Sequence, residues 1–252
     1  MYKPDFRTRN NGVPILSKRD IETIGENFVR DFKPQALLDP QPLDVDRFAE
    51  FHMGLTIDYQ FLSHCGVFLE MLVFNDTDKL VIYDAESGRA EYIHADARTV
   101  IIDNTLLEGN QEHRYRYTMG HEIGHDVFHS RYYAYNPDQM SMFDTTFERP
   151  MFKCRAVQPK SSNKRLWTDV DWMEWQANYF SSVLLMPATA VYALWKGYVL
   201  KKGDAMGAYL MITKTATTFN VSTEAAMYRL EALGLLKKGI WANEFSLQDL
   251  AI

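Results

Sequence analysis

The string Gly120-His121-Glu122-Ile123-Gly124-His125 constrains this chain of 252 residues more than any other. Four residues of α-helix turn through about 400°, so the two imidazoles lie about 40° apart on one face, one turn apart along the axis. Both rings can then reach a single Zn2+ at roughly 2.0–2.1 Å. Glu122, beside the first histidine, is placed to take a proton from a zinc-held water and deliver it to a leaving amine. Zinc brings the pKa of such a water to about 7, so the chemistry runs near neutrality. The spacing is the zinc-protease signature. It requires a helix, expected over residues 112–130, whose histidine face meets a further ligand from elsewhere in the chain.

A catalytic zinc takes three protein ligands and keeps a fourth position open. His129 continues the series 121, 125, 129, but eight helical residues rise about 12 Å, too far for it to share an ion with His121. A structural or substrate-facing role suits it better. Glu174, in Glu174-Trp175-Gln176-Ala177-Asn178, is the stronger third ligand, on a helix expected over residues 172–185 and stopped by Pro187. Asp169 and Asp171 are rivals placed just ahead of that helix. Asn178 follows Glu174 by one turn on the same face. From there a side chain can accept a hydrogen bond from the free ring N–H of a ligating histidine and hold the ring in place.

The rest of the chain frames these helices. Ser17 with Asp20 three residues on forms a capping box, and Ile21, Ile24, Phe28 and Phe32 then mark one helical face. Pro34, Pro40 and Pro42 break the chain. A short helix after Asp44 is expected to turn Val45, Phe48, Phe51 and Leu55 inward. From Gly66 the pattern becomes β-like: residues 67–74, 79–83 and 98–103 are rich in β-branched and aromatic side chains, with turns at 75–78 and at Ser87-Gly88. The expected fold class is α+β, a small, mostly antiparallel sheet packed on helices. Residues 1–60 read as an N-terminal helical segment, 61–200 as the metallopeptidase domain and 201–252 as a C-terminal helical segment.

Residues 131–170 hold Pro137, Pro150 and Pro159 and show little periodicity; a loop of that length inside a compact domain is often functional. It carries Tyr132, Tyr133, Tyr135, Cys154, Lys160, Lys164 and Arg165, and suits a lid or a substrate-selecting loop. A donor to the developing oxyanion is needed besides zinc, and Tyr132, Tyr133, Tyr135 and His129 are the candidates. Cys154 reads as an inert, partly buried thiol; the alternative is a thiolate that fills the open zinc position and holds the enzyme latent.

Composition narrows the class of function. Acidic side chains outnumber basic ones, 33 to 27, a net charge of −6, which argues against a chain whose main task is gripping phosphates. Two cysteines, Cys65 and Cys154, make no disulfide framework and fit a reducing compartment. Residues 1–20 carry scattered charges and no apolar block, so no secretory signal is expected. Residues 175–195 contain no charged side chain, yet Gln176, Asn178, Ser181, Ser182 and Pro187 make them a buried core helix followed by a turn rather than a membrane span. A cytoplasmic protein is the expectation.

Two motifs in order resemble a known family. The run Thr118 to His129 looks like the metal helix of the ImmA/IrrE metallo-endopeptidases. Glu174-Trp175-Gln176-Ala177-Asn178-Tyr179-Phe180, continuing to Leu184-Leu185-Met186-Pro187, looks like that family's second helix. The resemblance covers roughly residues 65–190. It implies a gluzincin-like, zincin-type fold, with His121, His125 and Glu174 as ligands of one zinc and Glu122 as general base. It also implies intracellular proteolysis in bacteria or their mobile elements, commonly of a transcriptional repressor encoded nearby. In thermolysin-like relatives the position of Asn178 is usually an Asp; an amide is the weaker acceptor. The 49 residues from His125 to Glu174 exceed the spacing in minimal members.

Residues 219–236 resemble the turn and second helix of a helix-turn-helix. A DNA-reading helix wants basic or amide side chains on its exposed face. This one offers Arg229 beside Glu224 and Glu231, while Ala226, Leu230 and Leu233 read as core. A structural or partner-binding use, such as contact with a helix-turn-helix repressor, outweighs DNA binding. The reading is thus a zinc endopeptidase with a narrow protein substrate. The alternative is a non-enzymatic, metal-stabilised regulator or DNA-binding sensor that uses the C-terminal helices.

Overall fold

The computed structural model describes residues 1–133, 152–156, 167–201 and 203–237. Helix α1, Lys18–Phe32, starts on the expected box: Ser17 Oγ accepts from the Asp20 N–H, and the Asp20 carboxylate accepts from the Ser17 N–H. Ile21, Ile24 and Phe28 are buried. A single turn, α2 at Gln35–Leu38, follows.

The next helix departs from the expected period. Asp44 caps α3, Val45–Arg47, which widens at once into a π-helical stretch over Phe48–Met53. In an i→i+5 pattern the residue that returns beneath Phe48 is Met53. Met53 is accordingly buried, whereas Phe51, expected inward, is 78% exposed.

Six strands follow among the described residues: β1 Thr56–Gln60, β2 Phe68–Val73, β3 Thr77–Asp84, β4 Arg89–Ala95, β5 Thr99–Asp103 and β6 Phe152–Ala156. Four of them form a sheet in the order β1-β5-β2-β6, with β1 parallel to β5 and the other pairs antiparallel. The fourth, β6, lies inside the segment expected to be one loop. Strands β3 and β4 form a separate hairpin. Its turn is held by Asp84, whose carboxylate accepts from the Glu86 and Ser87 N–H groups.

Alternation along β2 and β5 sorts the sheet's two faces. Ile101, Met71 and Val73 meet Leu80 and Ala95 of the hairpin. Leu72, Val100 and Ile102 join the main core, which runs on through the helices. Glu70 pairs with Ile102, and so the register turns this carboxylate toward the same helical side.

That side is covered by α4, Glu112–Tyr133; α5, Asp169–Leu185, packs against α4. Thr168 and Asp171 form a second capping box, which starts α5 three residues before the expected position. Pro187 ends the run and α6 is Ala188–Leu194. Among the described residues no single helix is long and apolar enough to cross a membrane. The pair α5 and α6 passes by length and composition only, is bent by 43°, and packs into the core.

Helices α7, Ala205–Phe219, and α8, Thr223–Ala232, complete the described chain. The turn between them is pinned to the start of α4: Arg116 donates to the Asn220 carbonyl at 2.9 Å, and the Asn220 amide donates to Glu112 at 2.5 Å. Arg229, read as an exposed base, is buried. Its guanidinium takes both oxygens of Glu22 at 2.5 and 2.8 Å and the Met186 carbonyl at 2.8 Å. Helix α8 therefore offers no cation on its outer face, which carries Thr223, Glu224 and Tyr228.

Candidate metal centre

The centre exists because α4 and α5 come unusually close. Gly120 and Gly124 lie on the α4 face toward α5. A Cβ at 120 would stand 2.6 Å from Ser181 Oγ, and one at 124 would stand 3.0 Å from the Cα of Ala177. Bare backbone at these two turns lets the helices cross without side chains between them. Ser181 Oγ also donates to the Tyr117 carbonyl at 2.9 Å, a tie from an α5 side chain to the α4 backbone.

This crossing carries Glu174 to the histidines. His121 Nε2 and His125 Nε2 are 3.0 Å apart. Glu174 Oε2 is 3.5 Å from His121 Nε2, and its Oε1 is 3.5 Å from His125 Nε2. Donors each about 2.0–2.1 Å from one tetrahedral ion stand about 3.3–3.4 Å from one another. The two ring nitrogens lie near that spacing, each faces its own oxygen of Glu174, and the donor set of two imidazoles and a carboxylate is compact enough to hold a single metal ion. The histidines are fully buried and Glu174 is 29% exposed, so the open side of the cavity is at the carboxylate.

Asp169 and Asp171, the rivals of Glu174, are occupied elsewhere. Asp169 binds Arg9 and, at 2.6 Å, the Asn11 amide; Asp171 caps α5. Glu122 turns its buried carboxylate into the same cavity, with Oε1 4.0 Å from His121 Nε2. Asn178 is half-buried and gives its hydrogen bonds to neighbours other than an imidazole. Its amide donates to the Glu174 carbonyl at 2.8 Å, and its oxygen faces the Tyr117 hydroxyl at 3.4 Å.

Two residues, one in the cavity and one behind it, escaped the sequence reading. Glu70 is fully buried on β2, with Oε1 3.9 Å from His121 Nε2, and it forms a second cluster with His121 and Glu122. A signal was present: one carboxylate inside the apolar run Phe68-Leu69-Glu70-Met71-Leu72-Val73 is costly to bury unless a cation or donors compensate it. The other is Gln176, whose oxygen lies 3.0 Å from His129 Nε2. The remaining nitrogen of His129 faces His125 Nδ1 at 2.8 Å. Both nitrogens of His129 are thus committed inside the protein, which removes it from the candidate oxyanion donors.

Of the tyrosines, Tyr133 is buried and stacked on Phe74 with ring centroids 4.3 Å apart. Burial pushes its phenol well above the ordinary range, and Tyr132 and the Glu122 carboxylate add in the same direction, so it keeps its proton. Tyr135, Lys160, Lys164 and Arg165 lie outside the described residues; Cys154 is placed by its backbone alone, opposite Met71.

No curated protein matches the chain. A family model does: the peptidase M78 model, the IrrE N-terminal-like domain, matches residues 83–231. That span takes in α4, α5 and every residue of the three-donor cluster. The match extends over more than half of the sequence, and the chain belongs to this metallopeptidase family.

Proposed function

We propose that this protein is a zinc-dependent endopeptidase that cuts one specific protein, with a helix-turn-helix transcriptional repressor as the substrate class and the cytoplasm as its place of action. The reading rests above all on the convergence of two buried imidazoles and one carboxylate within reach of a single ion. His121, His125 and Glu174 would hold one Zn2+ per chain. Residues 61–200 would be the catalytic unit, flanked by a segment at 1–60, helical up to strand β1 at its end, and a helical segment at 201–252.

Zinc, when bound, acidifies a water and polarises the scissile carbonyl. The chain supplies the remaining work. The Glu122 carboxylate, buried beside His121, would act as the general base that accepts a proton and passes it to the leaving nitrogen. The buried walls keep bulk water away, which strengthens each electrostatic contact inside. The exposed edge at Glu174 is where a peptide would enter. Against the regulator alternative stands the buried Arg229, which leaves α8 without a cation to meet phosphate.

Two measurements test this. Purified protein should carry one zinc per chain. Glu122→Gln should keep that zinc and lose at least about a hundredfold in cleavage of a repressor encoded beside this gene, read by mass spectrometry. Cleavage at the wild-type rate by Glu122→Gln would end the proposal.

A further inference from the structure

Four buried groups run in a line away from the metal cavity. His125 Nδ1 faces His129 Nδ1 at 2.8 Å, His129 Nε2 faces Gln176 Oε1 at 3.0 Å, and Gln176 Nε2 faces the Pro14 carbonyl oxygen at 3.0 Å. His125 and His129 are fully buried and Gln176 is 1% exposed. The line joins α4, α5 and the N-terminal loop.

The direction of every bond in this line follows from its far end. A backbone carbonyl only accepts, so the nitrogen of Gln176 must face Pro14. Its oxygen is then the atom left for His129, and an amide oxygen also only accepts. His129 must therefore carry its proton on Nε2. In the neutral ring this leaves a lone pair on Nδ1. That lone pair faces His125 Nδ1, which must be the protonated nitrogen of its own ring. The remaining nitrogen of His125, Nε2, then holds a lone pair, and it is the atom 3.0 Å from His121 Nε2 and 3.5 Å from Glu174 Oε1.

We infer that His129 and Gln176 are positioning residues for the metal: they fix the tautomer and ring angle of His125, with the Pro14 carbonyl as the anchor that sets the polarity of the whole line. This rests on the zinc reading above. It assigns to an imidazole and an amide the task that carboxylates or backbone carbonyls commonly perform behind a metal-bound histidine. Without the line, His125 could rotate about its terminal torsion or place its proton on Nε2, and each change removes a donor from the cavity.

The test uses zinc affinity by chelator competition, alongside histidine nitrogen NMR of the zinc-loaded wild type. His129→Phe keeps a ring of similar bulk without the acceptor, and Gln176→Leu removes the anchor. Each should weaken zinc binding about ten- to a hundredfold. His129→Asn places an oxygen near the former Nδ1 and should recover most of the affinity. The NMR spectrum needs no variant and should show the His125 proton on Nδ1 and the His129 proton on Nε2.

Equal zinc affinity in folded His129→Phe, or a wild-type spectrum with the His129 proton on Nδ1, would overturn the inference and leave the endopeptidase reading intact. A wild-type protein that binds no zinc would overturn both.

Discussion

Gly124 of α4 and Ala177 of α5 meet backbone to backbone: a Cβ at position 124 would stand 3.0 Å from the Ala177 Cα and 3.2 Å from its carbonyl oxygen. The gap is too small for a methyl group unless one helix moves. Gly124→Ala gains about 1 kcal/mol of helix propensity but forces an overpacked contact that costs about 1–3 kcal/mol. The expected net result is a lower melting temperature together with weaker zinc binding, because the shift carries Glu174 away from the histidines. Calorimetry and chelator competition measure both; unchanged zinc affinity would show that the crossing does not set the donor spacing.

Glu70, Glu122 and Glu174 place three carboxylates around two imidazoles. A divalent cation offsets most of that negative charge, so each carboxylate raises the cavity's affinity for the ion even where it does not bind it directly. Glu70→Gln keeps the shape and removes one charge. Zinc affinity should fall at least about tenfold in competition titrations, and the metal-free protein should become more stable, since repulsion among the acids is relieved. A metal-free melting temperature that drops would refute this account of Glu70.

Arg229 and Glu22 join α8 to α1 through a bidentate pair with the arginine fully buried. Arg229→Met leaves Glu22 without its cation, though the Tyr179 hydroxyl still donates to it, and should cost about 3 kcal/mol in denaturant unfolding. Arg229→Met with Glu22→Leu should recover part of that loss. If Arg229 served DNA instead, the single variant would be as stable as wild type.

His52 packs between the Phe32 and Phe48 rings, with Nε2 3.3 Å from the Asp31 carboxylate. Burial outweighs that carboxylate and holds the imidazole below its ordinary 6.5. The unfolded chain therefore binds this proton more readily than the folded one. Stability from this site is complete above pH about 6.5 and is lost as pH falls through the lower folded value. Thermal melts of His52→Gln and wild type between pH 7.5 and 5 should diverge, the wild type losing more; parallel curves would contradict it.

The histidine pair was legible because ligand chemistry prescribes residue types at a fixed helical spacing, and spacing survives without coordinates; Glu174 was legible from its helix and from the resemblance, and the fold brings it to the pair. The first helix was legible because Ser17 and Asp20 are local signals. What escaped depends on contacts between elements. Strand β4 is polar and mostly exposed, so it lacks the apolar alternation that marks a half-buried strand. Phe51 went astray because nothing local announces the switch to a π-helical turn at Phe48. Asn178 has the expected helical position, but Tyr117 and the Glu174 carbonyl take its amide. Gln176 lies on a different part of α5 and meets His129, which is outside the donor cluster.

Pro14 takes part in the centre through its main-chain oxygen, an atom that every amino acid possesses. Replacing its side chain leaves that oxygen in the protein, and only a shift of the loop can remove it from Gln176. Natural variation at position 14 can thus be wide while its contribution stays constant. An insertion or deletion among the first fifteen residues would be felt some hundred positions downstream, at a ring that such an edit never touches.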